Sequence, residues 1–261
     1  MVRQSTRTLG LSSVDRADPI NRLKDAMPRE TMPGNQFCVG TSMFPGGLCD
    51  KKEKKEQPFF VDIVVPKSGG DLGARVEFVH DTLYSVEGSK VEQAFKVVGE
   101  PRVLGIVRSD ALCAWSPLED ALFAANISMT VTSLYRAEDL DADLKIDRNL
   151  IARAPAPANL TGDYIYFWDM TFIMRGLTVP EYKEEIRASA EHGLRRRIDG
   201  LQELSYQALG DLPFRLLVFS VLSPRNSELI VWSFNQGRLE FTSAVRRVQY
   251  LHDYVDNRRY N

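Results

Sequence analysis

From residue 59 onward, apolar and polar positions follow a two-residue period over most of the chain. Phe59 to Val65 is a β-branched and aromatic run that ends at Pro66, ahead of a Gly69-Gly70 turn, and predicts a strand. Ala74 to Val86 alternates with Val76, Phe78 and His80 on one side, and also reads as a strand. Phe95 to Val98 and Val103 to Val107 flank Gly99-Glu-Pro101, a turn between two strands. Ser116-Pro117-Leu-Glu119 opens a short helix that runs to about Ala125. Ile127 to Tyr135 returns to alternation, with Ile127, Met129 and Val131 expected inward. The densest strand pattern is Tyr164 to Met174, where Tyr164, Tyr166, Trp168, Met170 and Phe172 share one face. Ile165, Phe167 and Ile173 share the other. A strand apolar on both faces lies centrally in a layered fold or contacts another subunit.

A 3.6-residue period then takes over. Thr178 and Glu181 form a capping box with Pro180 in the first turn. Ile186, Ala190, Leu194, Ile198, Leu201 and Leu204 keep helical spacing, which predicts one long helix over about 179–209, stopped by Gly210. Gly193 and Gly200 inside it imply a close helix approach or a bend. Phe214 to Leu222 and Glu228 to Phe234 read as strands joined by Ser223-Pro-Arg-Asn226. Arg238 to Tyr250 fits strand or helix, and Asp253 to Asn261 is a polar tail. No internal repeat is visible.

The first 57 residues differ from the rest. They are rich in Ser, Thr, Pro, Gly and charge and end in Asp50-Lys-Lys-Glu-Lys-Lys-Glu56. One short helix from Asp18 to Met27 is expected there, before Pro28. Glycines and prolines between Met32 and Leu48 preclude a long regular element. The expectation is α+β: a mixed, mostly antiparallel sheet core over 58–261, with one long helix and an extended or flexible N-terminal arm over 1–57.

Charge excludes some functions. The 33 basic and 35 acidic residues leave a net charge of −2, which provides no global field for nucleic acid or an anionic membrane. No apolar run has the length of a secretory signal or a membrane span, so a non-secreted protein is expected. Cys38, Cys49 and Cys113 are too few and scattered for a disulfide framework or zinc site, although Cys38 and Cys49 lie in one bendable segment. Reduced thiols are the plainer reading.

No familiar catalytic grouping emerges. Ser68-Gly-Gly-Asp-Leu-Gly73 lacks the Gly-Lys-Ser/Thr ending of a phosphate loop and reads as a hairpin connection. Asp139, Asp141 and Asp143 have calcium-loop spacing, but Leu144 and Leu150 stand where the loop needs Gly and Glu, so a solvated loop is the better reading. His80, His192 and His252 are far apart in sequence and read as surface histidines. His80-Asp81 would fit a base only if folding supplied a serine. Arg195-Arg196-Arg197 wraps its helix, because adjacent residues point about 100° apart. It reads as a solvated face or as a contact to an acidic subunit or phosphate.

One segment has a family look. Gly162-Asp-Tyr-Ile-Tyr-Phe-Trp168-Asp-Met170-Thr-Phe172-Ile-Met174-Arg-Gly176, followed by Pro180, resembles the closing strand of tail-completion proteins of contractile-tailed phages. There an alternating Trp-x-Leu/Met-x-Phe strand runs into a Gly and then a Pro. The resemblance implies a ring-forming, non-enzymatic protein that closes a tail tube or sheath, cytoplasmic or assembled in a virion. It covers some fifteen residues and carries over no functional residue. Together with the arm and the two-faced strand, it makes a structural or assembly protein the leading expectation. Its partners would be copies of itself or other structural subunits, with no cofactor, membrane or nucleic acid. Phe37, Phe44, Trp168, Arg195, Arg196 and Arg197 are the candidate interaction residues. The alternatives are an enzyme whose site is assembled by folding, including His80 and the 139–147 segment, or a protein- or nucleic-acid-binding module using Arg195 to Arg197.

Overall fold

The computed structural model describes residues 56–67, 70–109, 115–211, 213–223 and 238–260. The chain divides into compact units Met1–Leu48 and Cys49–Asn261, and the described residues all belong to the second. The expected arm up to Lys55, Phe37, Phe44, the three cysteines and the strand expected over 228–234 lie outside them, and Gln57, the last residue expected in the arm, opens the first strand.

Eight strands close one antiparallel barrel: β1 (Gln57–Val64), β2 (Ser89–Val97), β3 (Arg102–Ser109), β4 (Ser128–Arg136), β5 (Ile165–Ile173), β6 (Glu203–Ala208), β7 (Arg215–Val221) and β8 (Glu240–Tyr250). Around the barrel they run β1-β3-β2-β8-β5-β7-β6-β4. Six helices are described: α1 (Leu72–Tyr84), α2 (Trp115–Ala124), α3 (Ala137–Asp143), α4 (Arg148–Arg153), α5 (Val179–Ile198) and α6 (Leu251–Arg259).

The strand order contains a duplication that no sequence periodicity announces. β1, α1, β2, β3, α2 and β4 form a β-α-β-β-α-β unit with strand order 4-1-3-2. β5, β6, β7 and β8, with α5 after the first strand, repeat that order. The halves meet at two seams. β2 and β8 pair only from Phe95 to Val97, and β4 and β6 only from Leu134 to Arg136. Within a half, β5 pairs with β8 along its whole length, from Ile165 to Ile173.

Alternation sends one face of each strand into the bore. Phe60, Phe95, Phe167, Phe219 and Tyr250 form a continuous ring stack there, with centroids 4.8 to 5.6 Å apart. Leu104, Ile106, Leu134, Leu204, Leu217 and Val248 fill the rest. At one end Arg102 holds Asp62, Arg215 grips Asp169 bidentately at 2.8 and 2.9 Å, and Arg246 reaches Glu100 at 3.2 Å. At the other end Arg108 and Arg136 converge on Glu92. These are inward-facing charges on strand ends, each paired as burial demands.

Several expectations need correction. Ala74 to Tyr84 is helical, not a strand. Val76, Val79 and Leu83 lie on one buried stripe, and Asp71 caps the start by accepting from the Gly73 amide at 2.8 Å. The segment before it is therefore a strand-to-helix connection rather than a hairpin. In β4 the fully buried residue is Leu134, whereas Val131 is 38% exposed. The long helix ends at Ile198 rather than near 209. Gly200 takes φ +97°, its amide donates to Arg197 O at 3.0 Å, and the Leu201 amide donates to Arg196 O at 2.9 Å. This is a Schellman stop, and the apolar residues beyond it become β6. The segment expected as a polar tail is α6, which buries Leu251 and Val255.

Candidate functional site in the crevice under the long helix

α5 lies over the outward faces of β5, β7 and β6. Its start is fixed as the sequence reading expects: Thr178 Oγ1 accepts from the Glu181 amide at 3.5 Å, and Glu181 accepts from the Thr178 amide at 2.9 Å. Ile186, Ala190, Gly193, Leu194 and Arg197 then recur at helical spacing and face the sheet. They meet Phe172 of β5, Leu216 and Val218 of β7, and Glu203 and Ser205 of β6, with Phe214 and Leu140 at the sides. A cavity of about 60 Å³ remains between helix and sheet.

One end of the crevice is charged. Arg197, whose side chain is 4% exposed, donates to Glu138 of α3 and approaches Ser205 Oγ at 3.5 Å. Ser205 in turn donates to Glu203 at 2.6 Å, and Arg196 reaches Glu203 at 3.4 Å. Asp141 of α3 is buried beside them. Burial, and then the negative charge of Glu138, pushes its carboxyl up to about 7, with Arg197 pulling the other way. Among the described residues, Arg197 Nε is buried without a hydrogen-bond partner. An unpaired buried guanidinium N–H is a donor short of an acceptor.

Arg195 is exposed and pairs with Glu191 at 3.7 Å, whereas Arg196 and Arg197 turn toward the crevice. Trp168 is 3% exposed, and its indole donates to Ser220 Oγ at 3.0 Å. His80 lies on α1 with its ring nitrogen 2.8 Å from Asp81, far from the 139–147 segment in the fold order. That segment is α3 and its flank, not a loop, and no group of metal-ligating side chains occurs among the described residues. Sequence reasoning missed His192 and Asp141 as members of one neighbourhood. His192 follows Glu191 at the solvent rim of α5, beside cavity-lining Gly193. Desolvation, helped by the positive charges of Arg196 and Arg195, lowers its pKa.

These features define a duplicated α+β barrel with a solid bore and a side crevice under its longest helix. No protein-family model and no curated protein matches the sequence. Solved structures do match in fold. A chlorite dismutase variant from Candidatus Nitrospira defluvii superposes with a TM-score of 0.54 at 11% identity, covering 79% of this chain and 96% of its own. Another variant of that enzyme, in complex with cyanide, gives 0.54 at 11%, covering 79% and 95%. A heme-binding protein from Thermus thermophilus gives 0.50 at 16%, covering 77% and 96%.

These matches overturn the phage reading. The structures that share the fold are chlorite dismutases and a heme-binding protein, not tail-completion or virion proteins, and the expectation of a non-enzymatic assembly protein falls with it. The physical reason lies in β5. It is apolar on both faces because it is an interior staff of a closed barrel, with Phe167 in the bore and Trp168, Met170 and Phe172 under the α5 side. No helix among the described residues is long and apolar enough to cross a membrane.

Proposed function

We propose that the chain binds heme in the crevice between α5 and the sheet and carries out redox chemistry there on a small inorganic substrate. Chlorite is the substrate named for the enzymes that share its fold. The single observation that carries this reading is that, among the described residues, the Nε–H of buried Arg197 lacks a partner at the charged end of a crevice whose other walls are apolar. A heme propionate is the acceptor that this donor lacks.

The other residues suit the same group. Phe172, Ile186, Leu194, Leu216 and Val218 offer apolar walls, and Ser189, Ala190 and Gly193 keep the helix wall thin. His192 stands on the helix that forms this wall, its pKa is lowered, and a neutral imidazole is the form that ligates a metal. A cavity of about 60 Å³ is far below the ~300 Å³ of a small ligand site, so the macrocycle would be held here only with α5 displaced from the sheet. Once bound, the heme iron would supply the redox centre. Asp141, protonated up to about pH 7, can hold a proton on its carboxyl at the crevice, and Arg197 supplies fixed positive charge.

Hemin titration tests the proposal. A saturable one-to-one Soret band is expected, with the ligation spectrum changed in His192→Ala and affinity weakened in Arg197→Ala. Absence of a saturable band overturns the reading. A His192→Ala spectrum identical to that of the unaltered chain removes His192 as ligand. Association between copies of the chain stands with this proposal; a purely monomeric mass by light scattering would remove it.

A further inference from the structure

β8 outruns one of its two neighbours. It pairs with β5 all the way from Val248 to Glu240, but with β2 only at Val248, Gln249 and Tyr250. One further bond, from the Val98 amide to Arg247 O at 2.9 Å, ends that seam. The chain then turns through Gly99, at φ +81°, into β3. Beyond the turn, the stretch from Glu240 to Arg246 has β5 on one side and, among the described residues, no strand on the other.

Antiparallel pairing turns the N–H and C=O of alternate residues to opposite edges of a strand. The Phe172 amide donates to Phe214 O at 2.8 Å, so the even-numbered residues of β5 point to β7 and the odd-numbered ones to β8. Those odd-numbered residues stand opposite Thr242, Ala244, Arg246 and Val248. Arg247 O points the other way, toward β2. Ser243 and Val245 therefore present their backbone N–H and C=O to the open edge. Thr242, Ser243, Ala244 and Val245 are all exposed, and none is charged or a proline. Natural sheets blunt such edges with charge, proline or a bulge. Here charge stands only at the ends of the stretch, Glu240 at one and Arg246 at the other.

We propose that this edge pairs with the same edge of a second copy of the chain, antiparallel about a twofold axis at Ser243. A twofold axis between antiparallel strands sets one residue opposite its own counterpart, and Ser243 is the midpoint of the open stretch. Each Ser243 N–H then donates to the Ser243 C=O of the other copy. Thr242 faces Ala244 of the second copy, Val245 faces Phe241, and Glu240 faces Arg246, so opposite charges meet at both ends. A parallel pairing in register would set like charge against like. Within one copy Glu240 has only the exposed Arg175 beside it, at 3.4 Å, and Arg246 holds Glu100 through Nε at 3.2 Å. A guanidinium has four further N–H donors for a second carboxylate. None of these residues lines the crevice under α5, so the pairing does not depend on heme.

The test is sedimentation of the full chain over a range of concentrations, joined to hydrogen exchange of its backbone amides. A dimer, or a larger even-numbered assembly, is expected. The Ser243 and Val245 amides should be protected in the associated chain and lose that protection when dilution separates the copies. The Thr242 and Ala244 amides point to β5 and should be protected in both states. Ser243→Pro removes the N–H at the axis and leaves the bonds to β5 in place, as proline does on an edge strand. It should weaken association about thirtyfold, because the twofold repeats the lost hydrogen bond. Glu240→Arg should weaken it as well. The proposal is overturned if the chain is monomeric at every concentration reached, or if folded Ser243→Pro associates as tightly as the unaltered chain. It is equally overturned if the Ser243 and Val245 amides of the associated chain exchange as fast as unbonded ones. The exchange measurement needs no variant, so a poorly folded Ser243→Pro leaves the test intact.

Discussion

Asp141 offers the sharpest test of the crevice electrostatics. Its carboxyl is held up to about 7 in the fold against 3.8 in the unfolded chain, first by burial and then by Glu138. Between those two pH values the folded chain therefore binds a proton that the unfolded chain has released. Stability from this group is present in full below about pH 4, declines as pH rises, and is lost by about pH 7. At roughly 1.4 kcal/mol per pH unit the ceiling is about 4 kcal/mol, and local reorganisation around an ionised carboxylate should bring it to about 2 kcal/mol. Asp141→Asn keeps the shape and removes the titration. Urea unfolding of both chains at a series of pH values from about 4 to about 8 should give a difference curve near its floor at the acid end. The curve should rise to about 2 kcal/mol in favour of Asp141→Asn by about pH 7 and stay level above it. A difference curve that is flat across the series would refute the reasoning, because it would mean that Asp141 titrates as an ordinary exposed carboxylate.

Two further outcomes follow from the packing. Gly200→Ala forces a side chain into a φ of +97° and should cost about 1 kcal/mol, read as a lowered melting temperature, whereas Gly193→Ala meets only ordinary contact with Glu203 and should cost less. Phe219→Ala removes a fully buried ring stacked on both Phe95 and Phe167. It should cost about 3–5 kcal/mol by chemical denaturation, a large share of the stability of a domain; a cost under about 1 kcal/mol would mean that the bore is not the core.

Elements with a local cause were legible in the sequence. The capping box at Thr178 and the Gly99 turn depend on residues a few positions apart, and they stand as expected. Residues 74–86 read as a strand because Val76, Phe78 and His80 satisfy a two-residue period, while Val76, Val79 and Leu83 satisfy the helical one. Only the packing of the second set on the sheet decides between them. The end of α5 reads too far along because Leu201 and Leu204 prolong its spacing, and the φ of Gly200 outweighs that spacing. Barrel closure had no local trace: Phe95 pairs with Tyr250, and Leu134 with Ala208, across long stretches of chain. The same distance hid the crevice. Asp141, His192 and Glu203 are unremarkable singly, and their shared neighbourhood exists only after α3, α5 and β6 are assembled.

The stacked rings that stopper the bore have a consequence for how this chain can change over time. With the middle occupied by Phe60, Phe95, Phe167 and Phe219, nothing can be threaded through the barrel, and recognition is left to its flanks. One flank belongs to each half, and the crevice under α5 shares no lining residue with the hollow that Phe59, Trp115, Met129 and Val131 line on the other flank. Substitutions on one side should therefore add to those on the other rather than interfere with them. Each half can therefore change its outer face while its twin continues unaltered.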